Sequence, residues 1–99
     1  MMDHNYFVYI TTNPSKTVLY TGVTNNIFRR MNEHYANRGK RKTFAGRYYC
    51  YQLVYFERYS QILVAINREK EIKDYSREKK MLLIKATNPK LNFIKVAPE

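Results

Sequence analysis

Two short runs rich in strand-forming residues, 6–11 (YFVYIT) and 17–23 (TVLYTGV), are separated by only five residues, TNPSK. The Asn-Pro step is a turn signal, so the pair reads as an antiparallel hairpin. A hairpin at the start of a chain fixes a sheet as the platform for the remaining elements. Tyr9 and Tyr20 then fall on one face of that sheet if the loop holds an even number of residues, because facing residues of an antiparallel pair share a side.

After the hairpin the period changes. Thr24 or Asn25 can cap a helix over 25–37, whose Ile27, Phe28, Met31 and Tyr35 recur at helical spacing and form its buried stripe. At roughly 100° per residue Arg29 points away, while Arg30 and His34, four apart, lie along the border of the stripe. Residues 38–47 (RGKRKTFAGR) carry five bases and no acid and read as a basic loop. Residues 48–57 are expected to be a third strand, central because it is apolar on both faces. Tyr49, Tyr51 and Tyr55 are expected in the core or in a cleft wall. Ser60 is a cap for a helix over 61–75, and Ser76 for another over 77–87, which Asn88-Pro89 ends.

Within the 61–75 helix the inward positions are Ile62, Ala65, Ile66 and Ile72, and Glu69 falls among them. Glu71 and Asp74 lie off the stripe. A carboxylate turned toward a core is costly unless it is paired or coordinated. Glu69 is therefore either half of a structural bridge to a buried Arg or Tyr, or a functional group at the bottom of a cleft. His34 is similarly open between a phosphate contact and a half-buried helix residue.

Charge narrows the function classes. Eighteen Lys and Arg stand against eight Asp and Glu in 99 residues, a net charge of +10, with the first half of the chain at +6 and the second at +4. Such a field favours a polyanion, and phosphate attraction supplies most non-specific affinity for nucleic acid. Lys40, Arg41, Lys42 and Arg47 are the densest candidates for those contacts. Chain length suits one domain over 1–99. No apolar run reaches the roughly 18 residues of a membrane helix and no signal peptide is recognisable, so the expected place is the cytoplasm. One cysteine, Cys50, and two histidines are too few for a structural zinc site, so any metal would be held by oxygen. Cys50 itself reads as a buried strand thiol.

Two tyrosines on a hairpin, an arginine and a histidine on the next helix, an inward glutamate and a basic surface suit phosphodiester chemistry. That reaction needs an activated water, positive charge on the phosphorane and a route for the leaving oxygen. Arginine donates two hydrogen bonds to neighbouring phosphate oxygens, and a lone carboxylate suits Mg²⁺, which binds through one or two acids plus substrate.

These residues resemble the GIY-YIG nuclease family, in particular small stand-alone members similar to the N-terminal domain of the bacterial excision-repair endonuclease. The resemblance spans about 5–94. Phe7-Val8-Tyr9 stands at the first family tripeptide and Tyr20-Thr21-Gly22 at the second. It implies an α+β fold, a three-stranded antiparallel sheet flanked by helices. It also implies Tyr9, Tyr20 and Arg30 as catalytic residues with His34 beside them, Glu69 as the ligand of a single Mg²⁺ or Mn²⁺, and Gly22 and Asn92 in support. The implied activity is metal-dependent endonucleolytic hydrolysis of DNA, in repair or processing, with a tyrosine as general base or proton relay. Phe7 departs from the first-motif glycine, and Val23 stands where the repair enzymes have a lysine. The rival reading is a non-catalytic nucleic-acid-binding module with the same fold. With no separate targeting domain expected, the chain is expected either to bind weakly and with little sequence preference or to depend on a protein partner for targeting.

Overall fold

A computed structural model describes residues 4–98 of the chain. Its order of elements is β1 (Tyr6–Thr12), β2 (Leu19–Thr24), α1 (Ile27–Ala36), α2 (Phe44–Arg47), β3 (Gln52–Tyr59), α3 (Ile62–Lys73) and α4 (Arg77–Lys85). The three strands form an antiparallel sheet in the order β2-β1-β3. The hairpin register pairs Thr12 with Leu19, Thr11 with Tyr20 and Tyr9 with Gly22, leaving 13–18 as an even-numbered loop. Asn13 shapes that loop: its Oδ1 accepts from the Thr17 and Val18 amides at 2.8 and 3.0 Å. Tyr9 and Tyr20 therefore share a face, the condition of an even loop being met.

The central strand is β1, not the 48–57 run. Every residue of β1 after Tyr6 is buried, because Val8 and Ile10 face one layer and Phe7 and Tyr9 the other. In β3 only Leu53, Val54 and Tyr55 are buried, and Phe56 and Arg58 are exposed, the alternation of an edge strand. Residues 48–51 form the bend into β3. Tyr49 sits there in the left-handed region at φ 59° and is half-exposed, outside core and cleft wall, whereas Tyr55 is core. Cys50 lies in the same bend, not in a strand; burial pushes its thiol up to about 11.

Each sheet face has its own helix layer. Val8, Ile10 and Val54 pack with Ala65 and Ile72 of α3 and Ile84 of α4. Phe7, Tyr9 and Leu53 pack with Ile27 of α1. The cap of α1 is Asn26, one residue later than expected, its Oδ1 accepting from Arg29 N at 2.9 Å. The basic stretch is not all loop, for Thr43 caps the one-turn helix α2. Gly46 permits this fold-back: a Cβ there would press on the carbonyls of Lys40 and Asn37, and the Gly39 amide donates to Gly46 O at 2.8 Å. The helix α3 is preceded by Gln61 with no side-chain cap bond, so Ser60 is not its cap, and Ile62 is exposed instead of inward. Ser76 caps α4 as expected. Beyond α4, Ile94 N donates to Leu53 O at 2.8 Å and Asn88 Nδ2 to Val54 O at 2.9 Å, tying the C-terminal segment to β3. Among the described residues no helix is long and apolar enough to cross a membrane.

Candidate active site

The tyrosine of β1 is the centre of the site. Gly22 lies opposite Tyr9 in the hairpin, and a Cβ there would collide with the Tyr9 ring and hydroxyl. Glycine thus lets the phenol lie across β2. The hydroxyl meets α1: Arg30 Nε donates to Tyr9 Oη at 3.2 Å, and His34 Nε2 stands 2.8 Å from the same oxygen. The four-residue spacing of Arg30 and His34 on one helix flank brings both to a single oxygen. Tyr20 completes the cluster, its ring edge-on to His34 with centroids 5.5 Å apart.

Electrostatics sets the protons. Tyr9 is 0% exposed, and this burial raises its pKa to about 12, against the pull of the Arg30 hydrogen bond and charge. His34 is 6% exposed; burial and then the Arg30 charge lower it to about 4, with Glu33 acting the other way. At neutral pH His34 is uncharged and Nε2 accepts the phenolic proton, the arrangement that gives that proton a partner. Burial works against the Arg30 charge, but the hydrogen bonds to Tyr9 and Glu33 outweigh it and hold the guanidinium fully protonated. Arg30 Nη1 donates to Glu33 Oε1 at 3.1 Å. Its Nη2 has no hydrogen-bond partner among the described residues.

Glu69 enters from α3. Its side chain is 14% exposed, against 55% for Glu71, as the helical pattern requires. Its charge is among those that raise the Tyr9 pKa, the smallest of the causes. Glu69 Oε2 lies 3.0 Å from Lys73 Nζ, an exposed partner one turn on. The buried structural bridge belongs to its neighbour instead. Arg68 donates Nε and Nη2 to Glu57 Oε1 and Oε2 of β3 at 2.8 and 2.9 Å, and Tyr55 and Tyr59 also donate to that carboxylate. Burial alone would raise Glu57, yet these hydrogen bonds lower it to about 2.

No group of three or more His, Cys, Asp and Glu converges among the described residues. The Glu69 carboxylate, whose charge is felt at Tyr9, is the kind of lone acid that fits Mg²⁺ or Mn²⁺ taking its remaining ligands from phosphate and water.

The other sequence candidates divide. Gly22 belongs to the site by its contact with Tyr9. His34 is 6% exposed and its Nε2 is engaged with the Tyr9 hydroxyl. Asn92 is not brought in: it is exposed and its backbone is bound to Asn88, beside β3 on the far side of β1 from β2. Lys40, Arg41, Lys42 and Arg47 are all exposed. They are joined to the site by an aromatic contact that the sequence pattern does not announce, Phe44 against Tyr20 with centroids 6.3 Å apart and planes at 23°. Phe44 and Tyr48 are four apart, a helical pair concealed by reading 38–47 as loop. Glu33, three after Arg30, is a partner that helical spacing alone could have revealed.

A three-stranded antiparallel sheet with α1 and Tyr9 on one face and α3 on the other defines a class of nuclease domain. The family model described as the GIY-YIG catalytic domain matches residues 5–82, and the chain belongs to the GIY-YIG family of nucleases. A UPF0213 protein of Haloquadratum walsbyi is 43% identical over 82 residues, covering 83% of this chain and 89% of the relative. A UPF0213 protein of Natronomonas pharaonis is 41% identical over 83 residues, covering 84% and 94%. The solution NMR structure of the UPF0213 protein BH0048 from Bacillus halodurans superimposes with a TM-score of 0.54 at 29% identity, covering 87% of this chain and 88% of that one.

Proposed function

We propose that this chain is a metal-dependent endonuclease that hydrolyses phosphodiester bonds in DNA through Tyr20, Arg30 and Glu69, with Tyr9 and His34 holding Arg30 in place. One observation carries the reading: the Tyr9 hydroxyl joins Arg30 and His34 in one buried array beside Tyr20. The two tyrosines have different jobs. Tyr9 is fully buried with its hydroxyl engaged on both sides, so no water reaches it. Tyr20 is half-buried and its hydroxyl has no hydrogen bond among the described residues. It is the phenol that can meet the attacking water.

In this reading Tyr20 is a proton relay, its own proton passing to solvent. It then takes the proton of the water as that oxygen attacks phosphorus, and the bond from phosphorus to the leaving oxygen breaks. The free Nη2 edge of Arg30 donates to the phosphorane oxygens, where a fixed guanidinium stabilises the transition state more than the ground state. Glu69 would hold the metal ion, which when bound supplies positive charge beside the phosphate. The +10 net charge draws the polyanion in.

A second reading, a binding module without catalysis, is favoured by the Lys73 ammonium already beside Glu69. Plasmid nicking with Mg²⁺ or Mn²⁺, set against EDTA and against Tyr20→Phe, separates the two. The nuclease nicks only with metal and loses about 10² to 10⁴ in rate without the Tyr20 hydroxyl. Metal-independent binding with no nicking at any metal concentration leaves the module.

A further inference from the structure

The cluster around Tyr9 does not use the surface beside Tyr20. Phe44 and Tyr48 are 50% and 43% exposed, and their rings extend outward from Tyr20, with Phe44 and Tyr48 centroids 4.7 Å apart. Phe44 also lines a groove of about 250 Å³ together with Val18 and Leu19 and with Arg77 and Lys80 of α4. Those two cations form no ion pair among the described residues. They also occupy the first turn of α4, where the helix dipole disfavours positive charge. An exposed ring and unpaired cations lining one groove offer an apolar face and an anion site together, a match for the base and the phosphate of a nucleotide.

We propose that this groove binds an unpaired nucleotide of the strand to be cut, its base stacked on Phe44 and its phosphate held by Arg77 and Lys80. This rests on the nuclease reading and specifies its substrate as a single-stranded or locally unpaired polynucleotide. A paired base inside a duplex has both faces covered by its neighbours and none to offer Phe44. A free base stacks on an aromatic ring whatever its sequence. The continuity of Phe44 with Tyr20 puts the nucleotide next to the scissile phosphate.

The test measures binding in EDTA, so it does not depend on cleavage. Fluorescence anisotropy compares labelled oligothymidylate, oligouridylate, an abasic strand of equal length, and oligothymidylate annealed to oligodeoxyadenylate. The proposal expects the wild-type protein to bind the base-bearing single strands about 5-fold or more tighter than the abasic strand, the range of one stacked base. Comparing oligouridylate with oligodeoxyuridylate of equal length assigns the sugar. Phe44→Ala erases the preference over the abasic strand, and Phe44→Tyr keeps it. Arg77→Gln with Lys80→Gln keeps the preference and lowers the salt slope by about 0.7, the contribution of the one single-strand phosphate that the two side chains hold. Equal binding of base-bearing and abasic strands, or a preference that survives in Phe44→Ala, overturns the groove. Metal-dependent nicking that persists in that case leaves the nuclease reading standing without it.

Discussion

The hydroxyl of Tyr9 and Nε2 of His34, 25 residues apart in sequence, lie 2.8 Å apart in the buried space between β1 and α1. That contact, with the Arg30 Nε–H on the same oxygen, fixes the guanidinium that the proposed mechanism turns toward the phosphate. Its removal should be felt in stability as well as in rate. Tyr9→Phe strands a buried imidazole nitrogen and the Arg30 donor, which costs on the order of 1–3 kcal/mol. Tyr20→Phe deletes a hydroxyl that bonds no described residue and should move stability by under about 0.5 kcal/mol. Urea unfolding of both variants beside their nicking rates checks the division of labour: both lose cleavage, and only Tyr9→Phe loses stability. Equal destabilisation by the two substitutions contradicts it.

His34 makes stability depend on pH in a window of its own. Its pKa falls from 6.5 unfolded to about 4 folded, so between those values the unfolded chain binds more protons and stability rises with pH. Acidifying from neutrality toward pH 4 should therefore cost up to about 3 kcal/mol through this one group. Glu57 acts lower down: its folded value of about 2 against 4.5 means its contribution is present above 4.5 and lost as pH falls toward 2. Thermal melts across the pH range should show the upper slope disappear in His34→Gln and the lower one remain. An unchanged slope between pH 6.5 and 4 in that variant would show that His34 is not buried uncharged.

The pair formed by Glu57 and Arg68 joins β3 to α3 and so sets the helix that carries Glu69. Their side chains are 16% and 23% exposed. Arg68→Met leaves the Glu57 carboxylate partly buried without its main partner, a loss of about 3 kcal/mol. Glu71→Gln removes only an exposed contact and stays within about 0.5 kcal/mol. The comparison is read from denaturation midpoints. Equal midpoints for the two variants would contradict a structural role for the bridge.

Neutralising Lys40, Arg41 and Lys42 together should weaken DNA binding and flatten its salt dependence, each duplex phosphate contact contributing about 0.9 to the slope. Binding titrations at several salt concentrations measure this. Unaltered affinity and slope would reduce those side chains to solvated surface.

Much of this site is legible in the sequence because it depends on local periods. A four-residue spacing puts Arg30 and His34 on one flank, whereas the shared face of Tyr9 and Tyr20 depends on an even loop that only the register supplies. Helical phase turns Glu69 inward and Glu71 outward. What the residues alone do not give is set by contacts distant in sequence. The apolarity of the 48–57 run suggests a central strand, but centrality depends on how many strands pair with it, and β1 pairs with both others. Phe44 is hidden because α2 exists only where Gly46 lets the chain fold back on Lys40. Arg68, a charge on a helix rich in charges, acquires its meaning from Glu57, eleven residues earlier on another element.

The central claim is that Glu69 serves chemistry and not folding, and Glu69→Gln tests it directly. The carboxylate is 14% exposed and its one ion-pair partner, Lys73, is 49% exposed, so the pair is worth little, on the order of 0.5 kcal/mol. Plasmid nicking by wild type and Glu69→Gln in Mg²⁺ is measured beside their melting temperatures. The account predicts that metal-dependent nicking is lost while the melting temperature stays within about 3 °C, the shift expected of so small an energy in a domain of this size. Nicking at the wild-type rate in Glu69→Gln, with a melting temperature that drops clearly, would contradict it.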